Sequence, residues 1–139
     1  MVGIILNSVL VKTEYYKKLS NLNFITSKAL NKRIGLKYFK WIVKHTFFKF
    51  FNQSIKLANQ KADLTEIRKE MTLAEISHLI GFVFTAVFAI YKSFSVSFVF
   101  GLSIMIANIL MNLYPSLLQQ ENKRRIDKLI RQRTVANKV

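Results

Sequence analysis

Two long, nearly uncharged apolar segments joined by a short turn constrain this chain more than any other feature. The first runs from Leu73 to Tyr91 and the second from Phe94 to Leu118. About 20 helical residues cross a hydrocarbon core, so each segment is long enough, or nearly so, to span a membrane. Between Glu75 and Glu121 the one charged side chain is Lys92, in the turn at Lys92-Ser93, with histidine taken as neutral. The pattern predicts an all-α integral membrane protein, a helical hairpin with spans over 72–92 and 94–118.

The distribution of positive charge supports this topology. The net charge is +15, and Lys and Arg number fourteen in residues 1–69, one in 70–122 and seven in 123–139. Both flanks of the hairpin are basic, whereas the turn carries a single positive charge. The positive-inside bias therefore predicts a multi-pass cell-membrane protein with both termini in the cytoplasm. Membrane lipids with anionic headgroups are then the expected partner for the charge, in preference to nucleic acid. The chain has no cysteine, which excludes disulfides, thiolate nucleophiles and cysteine metal sites.

Basic and aromatic residues precede the hairpin, over residues 31–56. Arg33, Lys37, Lys40 and Lys44 are spaced by 4, 3 and 4 and form one stripe on a helix whose remaining surface is largely apolar. This predicts an amphipathic helix in the headgroup zone, and packing on a soluble core is the alternative. Residues 119–139 predict a second basic helix lying on the surface. In the N-terminal segment, residues 1–30, the apolar stretch 1–11 either lies at the membrane–water interface or is the remnant of a longer span.

The ends of the two spans carry weaker signals. Residues 57–71 read as a connection, and Thr72 with Glu75 fits a capping box that would begin the first spanning helix. A helix running straight through from Asp63 to Tyr91 is the alternative. After the second span, Pro115 cannot continue helical hydrogen bonding, which predicts a kink or break there.

Four polar residues interrupt the apolar segments. Glu75 and His78 are three apart and Asn108 and Asn112 four apart, so each pair shares one helix face. Folding the hairpin about Ser93 places His78 at the depth of Asn108 and Glu75 at the depth of Asn112. Polar groups in lipid usually face the protein interior or a substrate path, so we expect the four to converge, as a functional site or as interhelical packing. Glu-x-x-His is half of a di-iron motif, but there is no second copy, and no metal site is predicted.

Two runs in these segments carry a family resemblance. EMTLAEISHLIGF from Glu70 to Phe82 and NILMNLYPSLLQQENKRR from Asn108 to Arg125 resemble the glycosyl-4,4'-diaponeurosporenoate acyltransferase family, small bacterial membrane proteins of carotenoid pigment pathways. The basic-aromatic run from Ile34 to Trp41 also resembles that family. Where the family has an Arg-Tyr-Asn-Arg type of run, this chain has Gln120-Glu121-Asn122-Lys123. The residues that match the family pattern are Glu75, His78, Asn108, Asn112, Tyr114, Pro115, Gln119 and Asn122.

The resemblance implies esterification of a sugar hydroxyl on a membrane glycolipid by a fatty acyl group. Such a transfer needs a base for the hydroxyl proton and donors for the developing oxyanion. On this reading His78 is the general base and Glu75 orients its ring. Asn108 and Asn112 would serve the oxyanion or bind sugar hydroxyls.

The same reading assigns the polar residues that follow the second span. Tyr114, Gln119 and Asn122 are expected near the polar headgroup of the acceptor. Arg124 and Arg125 are expected to bind phosphates of an acyl carrier. The implied partners are a glycolipid acceptor and an acyl donor such as acyl-CoA or acyl carrier protein, which acts as a co-substrate, and no further cofactor is expected.

Other functions fit the same pattern of residues. A non-enzymatic membrane adaptor would bind lipid or a partner protein through its basic helices, and its polar residues would only lock the hairpin. A small channel or transporter subunit would line a path with His78, Asn108 and Asn112. Ser77 and Ser103 read as helix-packing hydroxyls, so direct transfer is favoured over an acyl-enzyme. One hairpin buries little between its helices, which makes a homo-oligomer a further expectation.

Overall fold

The computed structural model describes residues 2–22, 24, 35–45 and 63–136, and every regular element within them is helical. The two long helices that form the hairpin confirm the predicted all-α architecture. In chain order the elements are α1 (Val2–Leu10), α2 (Tyr15–Leu19), α3 (Leu36–His45), α4 (Leu64–Ser95), α5 (Phe98–Asn108), a π-helical segment (Ile109–Leu113) and α6 (Tyr114–Ala136).

Helix α4 begins well before the apolar segment that it carries. The Asp63 side chain accepts hydrogen bonds from the backbone N–H groups of Thr65, at 2.8 Å, and Glu66, at 3.4 Å, and so caps the helix. These backbone bonds hold the pKa of Asp63 below its ordinary value. Thr72 lies in mid-helix, where its hydroxyl donates to the Arg68 carbonyl. Of the two alternatives for the helix start, the structure shows the continuous helix, and residues 64–71 belong to it.

Both arms of the hairpin are long and apolar enough to cross a membrane. The 32 residues of α4 extend over about 48 Å, against about 30 Å of hydrocarbon. An apolar surface of this extent is stable in lipid rather than in water. The end of the hairpin opposite the turn, near Leu64 and Ala136, is called the basal end below, and it extends beyond the length that a hydrocarbon core would cover. Large exposed apolar side chains cover the turn half, among them Val83, Phe84, Val87, Phe88, Phe94, Phe98 and Val99.

The two arms approach each other closely beside the turn, at Gly101. Its Cα is so near α4 that an added Cβ would lie 2.5 Å from the Ala89 carbonyl oxygen and would overlap the Ser93 hydroxyl. Nearby, the Ser97 hydroxyl caps α5 by accepting the backbone N–H of Phe100 at 3.2 Å. Glycine therefore fixes the spacing of the two arms at this end.

Gly101→Ala should destabilise the hairpin by about 1–3 kcal/mol, because the new methyl group meets backbone atoms that cannot rotate away. The measurement is the unfolding midpoint of the purified protein in detergent micelles. Ser103→Ala, at an exposed position of the same helix, is the matched control and should leave the midpoint nearly unchanged. Equal midpoints for the two variants would contradict the close approach.

Of the kink or break predicted at Pro115, the structure shows no break in the second arm. The π-helical segment Ile109–Leu113 precedes Pro115, with the Tyr114 N–H bonded to the Ile109 carbonyl five residues back. Such a wider turn adds one residue and re-satisfies backbone groups near a proline. The helix then continues as α6 to Ala136.

Helix α6 packs against the basal half of α4. Ile126, which is 1% exposed, forms a buried cluster with Leu64 and Met71. Beside this cluster the Arg68 guanidinium binds Asp127, with an Nε–Oδ1 distance of 2.5 Å. The C-terminal segment, expected to lie on the membrane surface, is thus continuous with the second span. One face of it, which carries Ile126, packs against α4.

Two short helices flank the hairpin near the membrane boundary. On α1, Asn7 Nδ2 donates to the Leu73 carbonyl at 2.7 Å and to Ser77 Oγ at 2.8 Å, so this helix lies along α4 where the apolar segment begins. Helix α3 packs on α6 through buried Leu36, which contacts Leu117, and exposes Trp41. The remainder of the predicted basic-aromatic helix, residues 31–34 and 46–56, lies outside the described residues.

Candidate functional site

A chain of hydrogen bonds joins the two spans through His78. The His78 ring lies beside the side chain of Asn112, within reach of a hydrogen bond. Asn112 Nδ2 donates to Asn108 Oδ1 at 2.8 Å, and Asn108 Nδ2 donates to the Phe82 carbonyl at 2.9 Å. We call these four groups the amide chain. It begins and ends on α4 and passes through two carboxamides on the opposite arm.

The Phe82 carbonyl sets the direction of the two bonds that involve Asn108, because a carbonyl oxygen can only accept. Asn108 must turn its NH₂ group to that carbonyl and its oxygen to Asn112. Asn112 in turn uses its NH₂ group on Asn108, and its oxygen lies beside Gly81, 3.0 Å from the position of an added Cβ. The interaction of His78 with Asn112 is of the kind in which a ring N–H donates to the amide oxygen. In a neutral imidazole the second ring nitrogen then carries the lone pair, as a general base requires.

The predicted register of the hairpin is wrong by about one helical turn. His78 meets Asn112 rather than Asn108, and Asn108 meets Phe82. The cause lies at the turn, since α4 continues through Ser95 and α5 begins only at Phe98. Moving the centre of the turn by two or three residues shifts the facing positions by about twice that number.

Glu75 belongs to a second set of contacts, one turn nearer the basal end. It is 0% exposed and forms an ion pair with Lys123, which is itself 4% exposed. Lys123 Nζ also donates to the Ser20 carbonyl at 2.8 Å. The Gln120 side chain lies against the carboxylate, and its Oε1 accepts the backbone N–H of Phe24 at 3.1 Å. Glu75, predicted to orient the His78 ring, thus contacts Lys123 and Gln120, and Asn112 is the side chain that lies beside His78.

The segment after α1 covers this buried ion pair. Ser20 and Phe24 contribute the backbone groups that Lys123 and Gln120 bind. The Tyr16 phenol lies near the same carboxylate, and burial, followed by the negative charge of Glu75, raises its pKa. Buried charges persist where both partners have further hydrogen bonds, and Lys123 has one to the N-terminal segment. The pair therefore ties three parts of the chain together.

The other predicted site residues lie on different faces of α6. Tyr114 faces α3, where its ring centroid is 4.9 Å from that of Phe39. Gln119, Asn122 and Arg124 are half-buried. Arg125 is exposed and pairs with Glu121. The structure therefore brings together His78, Asn108 and Asn112, and it places the other predicted residues outside the amide chain.

Sequence reasoning missed three buried residues, Ser116, Gln120 and Lys123. They continue the face of Asn112 toward the basal end at intervals of 4, 4 and 3, and each is at most 4% exposed. That spacing is the signal that would have found them, because it extends the stripe of Asn108 and Asn112 along one side of a helix. In the run Gln120-Glu121-Asn122-Lys123, Lys123 is the cation that stands where the Arg-Tyr-Asn-Arg type of run described above ends in arginine.

Fold and site together define a class of protein. Two apolar arms that can cross a membrane enclose a histidine, two carboxamides and a buried ion pair where the apolar stretch gives way to charged helices. The chain is a small helical membrane protein with a polar centre between its spans.

Comparison with known families specifies this class further. Residues 12–132 match the family model CrtO, described as glycosyl-4,4'-diaponeurosporenoate acyltransferase. Because the match covers most of the chain, the protein belongs to this family, which confirms the resemblance found in the sequence. The family description supports an acyltransferase. The comparisons with curated proteins and with solved structures returned no match.

Proposed function

We propose that the protein transfers a fatty acyl group to a hydroxyl of a glycosylated membrane lipid, with His78 as the general base. The observation that carries the proposal is the amide chain, which orients the imidazole between two spans by way of Asn112. An oriented imidazole beside lipid is the group that acyl transfer to a hydroxyl needs. The family to which the chain belongs supports the reaction class.

In the proposed mechanism the acyl group passes from the donor to the acceptor without forming an acyl-enzyme. The lone-pair nitrogen of His78 takes the proton of the acceptor hydroxyl while that oxygen attacks the carbonyl carbon of an acyl thioester. The tetrahedral intermediate collapses, the ester remains on the acceptor, and the thiolate leaves with the proton from His78. We assign no serine as nucleophile. Ser77 Oγ accepts a hydrogen bond from Asn7, and Ser103 Oγ donates to the Val99 carbonyl at 2.9 Å, so both hydroxyls have partners within the helices.

The two carboxamides have different roles in this mechanism. Asn108 is 2% exposed and holds Asn112 in place. Asn112 is half-buried and has a second amide N–H that can serve the developing oxyanion. Gln119 and Asn122, half-buried where the helix leaves the apolar zone, are the proposed contacts for the sugar headgroup. The basic flanks support an orientation with both termini in the cytoplasm, and in this orientation the acyl donor arrives from that side.

Lipid mass spectrometry tests the proposed reaction. Extracts of cells with and without this chain should differ by an acylated glycolipid, heavier than its precursor by the mass of one fatty acid less one water. The purified protein in nanodiscs should form the same ester from that precursor and an acyl thioester. Identical lipid profiles, together with no ester in the purified reaction, would refute the proposal.

Asn112→Ala should lower kcat about 10- to 100-fold, because His78 loses the acceptor that selects its tautomer. KM for the acceptor should change little, since the imidazole acts on the reacting atoms. The measurement is steady-state ester formation in nanodiscs. Leu110→Ala, at an exposed position on the same arm, is the matched control. A rise in KM with unchanged kcat would instead assign Asn112 to substrate binding.

A further inference from the structure

The basal part of α6 stands away from the membrane. About 20 residues of the second arm fill the hydrocarbon core, which places the boundary near Leu118. The buried contact of Leu36 on α3 with Leu117 marks the same level. Lys128 and Arg131 lie ten and thirteen residues beyond Leu118, about 15 and 20 Å further along the helix. With headgroups about 5–8 Å deep, these cations lie about one Debye length or more outside them, so attraction to lipid is largely screened.

The outward face of this part of α6 is basic. Arg125, Lys128 and Arg131 follow one another at intervals of three on this face and are all exposed, and we call them the basic surface. The nearby acidic groups of α6 are already paired: Glu121 contacts Arg125 as well as Lys40, and Asp127 contacts Arg68. Lys128 and Arg131 are three apart and lie on the side opposite Ile126, which packs on α4. The surface therefore presents extended positive charge to the aqueous phase.

We propose that the basic surface docks an acidic protein that carries the acyl group as a thioester. The inference rests on the proposed acyl transfer and specifies how its donor arrives. A convex helix with cations spread over about 9 Å suits an extended acidic surface, because a compact nucleotide phosphate needs cations that converge in a pocket. The bilayer is too far away to occupy these side chains. Docking here would hold the carrier on the membrane side where α4 and α6 lead to His78.

A binding measurement with charge reversal tests the docking. The probe is an acyl carrier protein loaded with a palmitoyl thioester, titrated onto the protein in nanodiscs of neutral lipid. Lys128→Glu with Arg131→Glu should weaken binding at least about tenfold, and added salt should weaken binding by the unmodified protein. Lys12→Glu with Lys18→Glu reverses the same charge at exposed positions of the N-terminal segment and should change binding less than about threefold.

Three outcomes would overturn the docking proposal: no binding, equal weakening by both charge reversals, or binding that disappears in nanodiscs of anionic lipid because lipid occupies the surface. The proposed reaction fails separately. If the carrier binds as expected but no ester forms from any thioester, acyl transfer is wrong and docking stands. If palmitoyl-CoA gives ester at a rate that the Lys128 and Arg131 reversals leave unchanged, and the carrier does not bind, acyl transfer stands and docking is wrong.

Discussion

Replacing His78 by glutamine should reduce the rate of ester formation by about 10²- to 10⁴-fold, the usual loss when a positioned general base is removed. Glutamine retains an N–H that can donate to the Asn112 oxygen, so the amide chain and the packing between the spans are preserved. It has no basic nitrogen at pH 7 and cannot take the proton of the acceptor hydroxyl. The measurement is ester formation in nanodiscs, with the unfolding midpoint recorded on the same preparation.

The chain offers a matched control in its other described histidine. His45 lies on α3, exposed and stacked on Trp41 with ring centroids 4.9 Å apart. His45→Gln should leave ester formation unchanged, because this ring is remote from the amide chain. A folded His78→Gln protein with normal ester formation would remove the histidine from the mechanism. If no ester forms with either protein, the alternative of a membrane adaptor, which loses only stability on such a change, would gain support.

The hairpin could be predicted from the sequence because lipid leaves few structural choices. Between 76 and 120 the one formally charged side chain is Lys92, and apolar runs of this length have helices as the stable solution in hydrocarbon. The convergence of His78 with Asn108 and Asn112 could be predicted as well, from spacings of three and four residues and the cost of exposing amides to lipid.

The register could not be predicted, because nothing near the turn stops a helix at a definite residue. No proline or glycine lies between Lys92 and Ser97, so the end of α4 depends on packing. The approach of Gly101 to Ala89 and the capping of α5 by Ser97 decide where the chain reverses. The π-helical segment adds one residue to the second arm and so shifts the positions that face α4. No motif in the sequence marks its place before Pro115.

The burial of Lys123 could not be predicted for a different reason. It stands in a basic run with Arg124 and Arg125, and composition does not distinguish a buried cation from a solvated one. The pairing with Glu75 appears only when α6 continues the helix of the second span, whereas the sequence predicted a kink or break at Pro115. Once the continuous helix is known, the spacing from Asn112 to Lys123 puts this lysine on the face toward α4.

Lys123→Met should destabilise the protein by about 3–5 kcal/mol, because the buried Glu75 carboxylate loses its partner. The same change removes the bond to the Ser20 carbonyl, so the segment from Tyr16 to Phe24 should detach from the hairpin and become sensitive to protease. The measurements are the unfolding midpoint in micelles and the rate of limited proteolysis. The loss should be specific to a buried pair: Arg125→Met breaks the exposed pair with Glu121 and should cost only about 0.3–0.5 kcal/mol.

A second substitution separates charge from packing. In the double variant Glu75→Gln with Lys123→Met the buried carboxylate is gone, and a neutral amide can bond to Gln120 in its place. Replacing both charges of a buried pair by neutral groups is often close to neutral for stability, so the double variant should regain most of the midpoint lost by Lys123→Met. If the double variant is as unstable as the single one, the lysine acts through its aliphatic stem and the Ser20 bond. In that case the ion pair with Glu75 does not hold the three segments together.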